Sequence, residues 1–211
     1  MSVTVPGSLG KVRPPLEKWQ DWRTCGWTER NPDTVSGIDE VYKTQFGFTR
    51  TQLTEEFIGH IDRAARVLEV GCAGGLQLKV LEQLGFTDLF GVDLRPTVVP
   101  GRVAVADGRW LPFADGAFEL AFTSGTMMHL HPAFRDRFCE ELLRVSRRWI
   151  WGVELWAAVP SRWEWNGLMP NAWALPEPGT LLRINPALRL RKERKMCRYN
   201  FTYNSFLLEK P

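Results

Sequence analysis

The hydrophobic positions of this chain alternate between helical and strand spacing. In residues 49–61, TRTQLTEEFIGHI, the apolar positions share one helical face, and Thr49 with Gln52 has the spacing of a capping box. Farther along, the runs VLEV, DLFGVDL, RVAVAD, AFELAFTS and WIWGVELW predict five strands. A helical pattern that ends at Gly85 follows the first strand, and one that opens with Pro132 follows the fourth.

This order of elements predicts an α/β fold with a doubly wound, Rossmann-like sheet. WIWGVELW is apolar on both faces, as expected of a buried parallel strand. The C-terminal tail predicts two longer strands, which form an antiparallel edge hairpin on a mostly parallel sheet. The second crossover, between Asp93 and Asp107, is too short for a full helix and contains two prolines, so we expect a short loop or a single turn there.

Composition divides the 211 residues into two parts. Residues 1–40 predict an irregular, tryptophan-bearing N-terminal segment that serves as a lid. Residues 41–211 predict the main domain, and the 44% hydrophobic content of the chain is sufficient for a real core. Within that domain, residues 156–187 form a tryptophan-rich insertion on the substrate side, after the fifth strand.

Charge and cysteine content restrict the partners and the compartment. A net charge of +3 does not indicate a nucleic-acid partner, and the basic run RLRKERKMCR is typical of a charged edge strand. No apolar run approaches the ~18 residues that span a membrane. The four cysteines form no metal or disulfide pattern, so we expect reduced thiols in a cytoplasmic protein without a metal. We expect a monomer or homodimer.

Polar residues end all five predicted strands. Ligands of open α/β sheets bind beyond the carboxyl ends of the strands, so these residues predict the position of a site. In chain order they are Glu69, Asp93, Asp107, Thr123 with Ser124, and Glu154.

The turn EVGCAGG distinguishes between two cofactor classes. A dinucleotide fingerprint needs G-x-G-x-x-G, but Ala73 and Leu76 stand where its second and third glycines belong. S-adenosylmethionine has no phosphate and carries a sulfonium cation with an amino-acid group. It suits the small residues Gly71, Cys72 and Ala73, preceded by the acid Glu69.

The other strand ends fit the same cofactor. Asp93 can accept hydrogen bonds from both ribose hydroxyls. Asp107 can accept from the adenine amino group while the amide of Gly108 contacts the ring. Leu94 and Thr123 complete the predicted cofactor-binding set.

Four motifs resemble those of class I S-adenosylmethionine-dependent methyltransferases: EVGCAGG at 69–75, VD at 92–93, ADGRWLPF at 106–113 and FELAF at 118–122. The resemblance covers residues 65–158 and implies a methyltransferase sheet, S-adenosylmethionine as methyl donor and S-adenosylhomocysteine as product. The chain departs from the family at Ala73, where glycine is frequent, and in the short second crossover, which removes a helix beside the adenine.

A narrower resemblance is to bacterial methyltransferases associated with the biosynthesis of pseudaminic acid and related surface sugars. It rests on DEVYKTQFGFTR, FTSGTMMHLHP, YNSFLLEK and the glutamate of WGVELW. It implies that Tyr42 and Arg50 fold over the cofactor, with the Arg50 fork facing the methionine carboxylate. The spacing of these two residues differs from the family pattern. The resemblance also places His129 beside the substrate.

Candidates for the acceptor side follow the fourth and fifth strands. His129 is either a general base or a loop residue at the start of the next helix. Glu154 either binds the substrate, as ligand or base, or forms a structural pair with an arginine. Trp156 and Trp163, with Trp22 closing from the other side, either line an acceptor pocket or form a separate hydrophobic cluster.

These features predict methyl transfer to a small soluble metabolite, foremost O-methylation of a sugar-like or otherwise hydroxylated acceptor. An N-methyltransferase in which Glu154 holds a cationic amine is the first alternative. The second is a binding protein that keeps the methyltransferase fold without turnover.

Overall fold

The computed structural model describes residues 34–94, 103–159, 161–163, 172–198 and 201–211. One turn of 3₁₀ helix, Met127–His129, precedes the fourth helix. The described helices and strands are α1 Val35–Phe46, α2 Arg50–Ile58, β1 Arg66–Val70, α3 Leu76–Gln83, β2 Asp88–Asp93, β3 Val103–Val105, β4 Phe118–Ser124, α4 Pro132–Val145, β5 Ser146–Trp156, β6 Ser161–Trp163, β7 Ala172–Ala174, α5 Gly179–Ile184, β8 Arg189–Arg198 and β9 Phe201–Glu209.

Seven strands form one sheet in the order β3-β2-β1-β4-β5-β9-β8. Neighbours from β3 to β5 are parallel, whereas β9 runs antiparallel to both β5 and β8. The predicted doubly wound sheet with an antiparallel C-terminal hairpin is confirmed. The strand order reverses between β1 and β4, which is where such sheets bind ligands. The predicted short second crossover falls on residues 95–102, outside the described residues.

Apolar side chains cover both faces of the sheet, as a doubly wound fold requires. One face packs against α2 and α3 through residues that include Leu53, Phe57 and Leu81. The other packs against α4 and α5 through Phe138, Leu142 and Leu181. Strand β5 is buried on both faces from Trp149 to Leu155, as its apolar sequence predicted.

The N-terminal boundary differs from the prediction. Residues up to about 40 were expected to be irregular, but α1 begins at Val35. The Thr34 hydroxyl caps this helix by accepting from the amide of Gly37, and Gly47 ends it in a left-handed conformation. Residues 1–33, with most of the expected lid, lie outside the described part.

The basic run of the sequence forms β8 at the sheet edge. In this strand Arg191 forms an ion pair with Glu209, and Lys192 and Arg194 form ion pairs with Glu56. These pairs agree with the interpretation of a charged edge strand. Among the described residues, no helix is both long enough and apolar enough to cross a membrane.

We predict that Gly152→Ala destabilises the centre of the sheet. Gly152 lies opposite Phe206 on β9, and an added Cβ would stand 2.2 Å from a ring carbon of that side chain. Overpacking of this kind lowers the free energy of unfolding by about 1–3 kcal/mol, which urea denaturation measures. Gly74→Ala is the control, because an added Cβ there meets nothing within 4 Å. Equal stability of the two variants would contradict the prediction.

Candidate functional site

The turn between β1 and α3 wraps around the end of β2. The amides of Gly71 and Cys72 both donate to the carbonyl of Val92, at 2.7 and 3.0 Å. The amide of Ala73 donates to Asp93 Oδ2 at 2.8 Å. Gly71 and Ala73 have positive φ angles of 83° and 45°. The turn therefore depends on left-handed backbone at both positions, which for an alanine is strained.

Arg50 extends from α2 to the carboxyl edge of the sheet, where its guanidinium is buried. Nε donates to Gln77 at 2.5 Å, Nη1 to the Tyr42 hydroxyl at 2.6 Å and Nη2 to the Ser124 hydroxyl at 2.7 Å. The Arg50 side chain also lies over the Trp151 ring. No carboxylate of the described residues lies within ion-pair distance of it. A buried cation held only by neutral acceptors suits an anionic ligand group.

Glu69, at the end of β1, is buried close to this cation. Burial raises the pKa of its carboxyl well above the usual range, the nearby Arg50 charge opposes that rise, and Asp93 adds to it. Its Oε2 has no hydrogen-bond partner within the described part of the chain. An acid in this state gains from a cationic ligand group, because the cation favours its ionised form.

Asp107 is engaged by its own neighbour. Arg109 donates to both carboxylate oxygens of Asp107 at 2.6–3.1 Å, and its guanidinium lies between the rings of Trp110 and Phe134. Trp110 is 58% exposed. An added Cβ at Gly108 would meet the Phe138 ring, so α4 lies close to this turn. Asp107, the acid predicted to bind the adenine, is therefore already paired with Arg109.

Glu154, on β5, is 1% exposed and fixed by its neighbours. Its Oε1 accepts from the Thr123 hydroxyl at 2.5 Å and from the Thr126 amide at 3.1 Å. Burial raises the pKa of the carboxyl, against the lowering effect of these bonds. Within the described residues no arginine forms an ion pair with Glu154, and its Oε2 has no hydrogen-bond partner there. The role of Glu154 in substrate binding stays a prediction.

His129 lies in the 3₁₀ turn after β4 and is buried. Arg135 of α4 fixes this turn by donating to the carbonyl of Met127 at 2.5 Å. The same guanidinium forms a buried ion pair with Glu177, N to O 3.4 Å. His129 thus lies in a turn that Arg135 holds through the Met127 carbonyl, three residues after Thr126.

The structure describes only some of the tryptophans predicted for the acceptor side. Trp156 is half-buried, and the Lys195 ammonium lies 3.8 Å from its ring centroid. Trp163 pairs through β6 with Ala172, although its side chain lies outside the described part, as does the whole of Trp22. Leu94 is half-buried after β2.

The structure therefore joins most predicted cofactor residues at one edge of the sheet. It adds Gln77, Ser124, Thr126 and Tyr203 to them. Gln77 also donates to Thr54 at 3.0 Å, and as a buried polar residue in an apolar helical stripe it was recognisable in the sequence. Tyr203 is a neighbour of Tyr42 and Glu154, and burial raises the pKa of its hydroxyl. Thr126 and Tyr203 lie in the motifs FTSGTMMHLHP and YNSFLLEK, but no individual role was predicted for either residue from the sequence.

Comparisons with known proteins identify a domain within the chain. Residues 68–148 match a family model described as a methyltransferase domain. No curated protein matches the chain in sequence.

Solved structures share the fold at low sequence identity. The 1,6-didemethyltoxoflavin-N1-methyltransferase of Burkholderia thailandensis, solved with 1,6-didemethyltoxoflavin and S-adenosylhomocysteine, is 15% identical with a TM-score of 0.68, over 96% of this chain and 93% of that one. The magnesium protoporphyrin IX methyltransferase of Synechocystis PCC 6803, solved with S-adenosylmethionine, is 11% identical with a TM-score of 0.56, over 97% and 87%. A methyltransferase of Methanosarcina mazei is 14% identical with a TM-score of 0.58, over 72% and 95%. The expected methyltransferase domain is confirmed over residues 68–148, and the expected fold over most of the chain.

We predict that Arg135→Met strongly destabilises the protein, because it leaves the Glu177 carboxylate buried without its cation. Breaking a buried pair in this way lowers the free energy of unfolding by about 3–5 kcal/mol, measured by urea denaturation. The double variant Arg135→Met with Glu177→Leu should recover much of the loss. Arg183→Met, in the exposed pair with Asp136, is the matched control and should cost far less. An equal loss in Arg183→Met would contradict a special role of burial.

Proposed function

We propose that this chain transfers the methyl group of S-adenosylmethionine to a small soluble acceptor, foremost to a hydroxyl of a sugar-like or otherwise hydroxylated metabolite. The observation that carries the proposal is the buried Arg50 guanidinium. It stands beside the glycine turn of a methyltransferase domain, without a carboxylate partner in the described residues.

Arg50 is the proposed ligand of the methionine carboxylate. Its three neutral acceptors use three of the five guanidinium N–H groups and hold the fork in one orientation. Two N–H donors remain for a carboxylate. Because the fork is preorganised, binding an anion there costs little side-chain entropy.

Glu69 and Asp93 are proposed to bind the rest of the donor. Glu69 suits the ammonium of the methionine part, because its carboxyl is buried with one oxygen not yet hydrogen-bonded. Asp93 accepts one bond from Ala73 and, as a carboxylate with several lone pairs, can also accept from the ribose hydroxyls. On the adenine side, the Asp107 carboxylate must accept hydrogen bonds both from Arg109 and from the adenine amino group.

S-adenosylmethionine, when bound, supplies a methyl group on a sulfonium sulfur, which becomes a neutral thioether when that carbon is transferred. The chain contributes orientation, because the turn at Gly71 is held by the Val92 carbonyl and by the Thr126 side chain. For a hydroxyl acceptor, a base must take the proton that the oxygen loses. His129 is the proposed base, since it lies buried on the acceptor side of the site.

N-methylation is the second candidate. The Burkholderia thailandensis structure, which shares the fold over most of both chains, is named an N1-methyltransferase. An amine acceptor can react without a protein base, so His129 would then be dispensable.

We predict that wild-type protein binds S-adenosylhomocysteine and that Arg50→Lys binds it at least about 30-fold more weakly. Lysine keeps the charge but loses the fork that contacts Tyr42, Gln77 and Ser124, at a cost of about 2 kcal/mol or more. Isothermal titration calorimetry measures both affinities. Arg66→Lys is the control, because Arg66 is exposed and pairs with Asp88 away from the turn. No binding by the wild type would refute the proposed function, and unchanged binding by Arg50→Lys would refute the role of Arg50.

We predict that His129→Ala reduces methyl transfer to a hydroxyl acceptor by about 10²–10⁴-fold while the affinity for S-adenosylhomocysteine stays within about twofold. Radiolabelled methyl incorporation into a panel of hydroxyl and amine acceptors supplies the measurement. His60→Ala is the control, since His60 packs against Trp149 far from the carboxyl edge of the sheet. Full activity of His129→Ala on hydroxyl acceptors would exclude His129 as the base.

A further inference from the structure

Thr126 connects the acceptor side of the site to the donor side. Its hydroxyl donates to the carbonyl of Gly71, in the cofactor turn, at 3.3 Å. Its amide donates to Glu154 Oε1, on β5, at 3.1 Å. One residue in the loop before the His129 turn therefore contacts the turn that follows β1 and the acid of β5.

Thr126 also packs closely against Gly71, in addition to the hydrogen bond. A Cβ added at Gly71 would lie 2.3 Å from Thr126 Cγ2 and 2.4 Å from its Oγ1. The Thr126 side chain thus occupies the space that any other residue at position 71 would need. Two features require glycine at position 71: the close approach of Thr126 and the φ angle of 83°.

Glu154 anchors the other end of this connection. The same oxygen, Oε1, accepts from the Thr126 amide and from the Thr123 hydroxyl, so the loop is tied back to β4 and β5 together. The amide of Gly125 adds a bond of 2.8 Å to the carbonyl of Val153. Two successive amides of the loop are therefore held by one short segment of β5.

Glu154 is anchored through one oxygen, Oε1, while its Oε2 is buried without a hydrogen-bond partner among the described residues. Its side chain is buried, and its cross-strand neighbour is the fully buried Asn204. Asn204 donates to the backbone carbonyl of Glu177, and the Glu177 carboxylate forms an ion pair with Arg135. The Arg135 guanidinium then contacts the carbonyl of Met127. These bonds connect Asn204, the cross-strand neighbour of Glu154, to the turn at Met127.

We propose that Thr126 is a positioning residue and Glu154 its anchor, and that together they fix the acceptor-side loop, Gly125–His129, at a set distance from the donor turn at Gly71. The inference rests on the proposed function, because it assigns the donor to that turn. In-line methyl transfer is sensitive to the separation of donor and acceptor, so a connection of this kind determines rate without contacting the reacting atoms.

Conservative substitutions distinguish the hydroxyl from the shape of Thr126. Thr126→Val keeps the branched volume against Gly71 and the backbone bond to Glu154, but it loses the bond to the Gly71 carbonyl. We expect the affinity for S-adenosylhomocysteine to fall about 3–10-fold in Thr126→Val, as for one lost hydrogen bond, and to return in Thr126→Ser. Thr202→Val, a threonine of β9 beside Cys197, is the matched control and should bind like the wild type.

Glu154 is tested in the same titration and in methyl transfer. Glu154→Gln keeps a carbonyl oxygen for both donors, so we expect affinity and turnover within a few-fold of the wild type, whereas Glu154→Ala should lower the affinity as Thr126→Val does. The losses in Glu154→Ala and Thr126→Val should be non-additive in the double variant, because each breaks the same connection. Urea denaturation of each variant identifies any general loss of folding.

Three outcomes would overturn the inference. The first is wild-type affinity in Thr126→Val, and the second is additive losses in the double variant. The third is loss of turnover in Glu154→Gln with intact affinity for S-adenosylhomocysteine, which would identify Glu154 as a base. A wild-type protein that binds no S-adenosylhomocysteine would refute the proposed function instead, so the two failures are distinguishable.

Discussion

The site depends on one buried charge, the guanidinium of Arg50. A cation removed from water is costly unless its N–H groups are satisfied, and Arg50 is satisfied by Tyr42, Gln77 and Ser124. These partners lie on α1, α3 and β4, so satisfying one charge draws three elements to the carboxyl edge of the sheet. Its hydrogen-bond partners among the described residues are all neutral, so its positive charge is available to an anionic ligand group.

A second polar system lies on the other side of the same edge. Glu154, Asn204, Arg135 and Glu177 are all buried and are connected through Met127 and Thr126. Their bonds to backbone groups hold one arrangement of the chain, although Glu154 Oε2 and Asn204 Oδ1 have no partner among the described residues. Here the arrangement is that of the loop carrying His129. Thr126 is the point at which this system meets the donor turn.

The sequence was a good guide wherever a local pattern had only one physical solution. The capping box at Thr49 and Gln52, the helix that ends before Gly85 and the apolar faces of β5 all form as expected. The prediction failed at residues 35–40, although Val35, Ile38, Tyr42 and Phe46 have helical spacing and α1 is capped at both ends. The alternatives for Glu154 could not be separated in the sequence either, since its partners Thr123 and Thr126 are 31 and 28 positions away.

The sequence by itself determined the order of strands and helices, the row of acids at the strand ends and the turn that suits a cofactor without phosphates. These features are local, because the spacing of apolar residues and the φ preferences of glycine act within a few positions. Only the tertiary structure decided which distant polar groups meet: Arg50 with Gln77 and Ser124, and Thr126 with Gly71. Such pairings follow from sheet order and burial, which bring distant residues together and make an unsatisfied polar group too costly to leave.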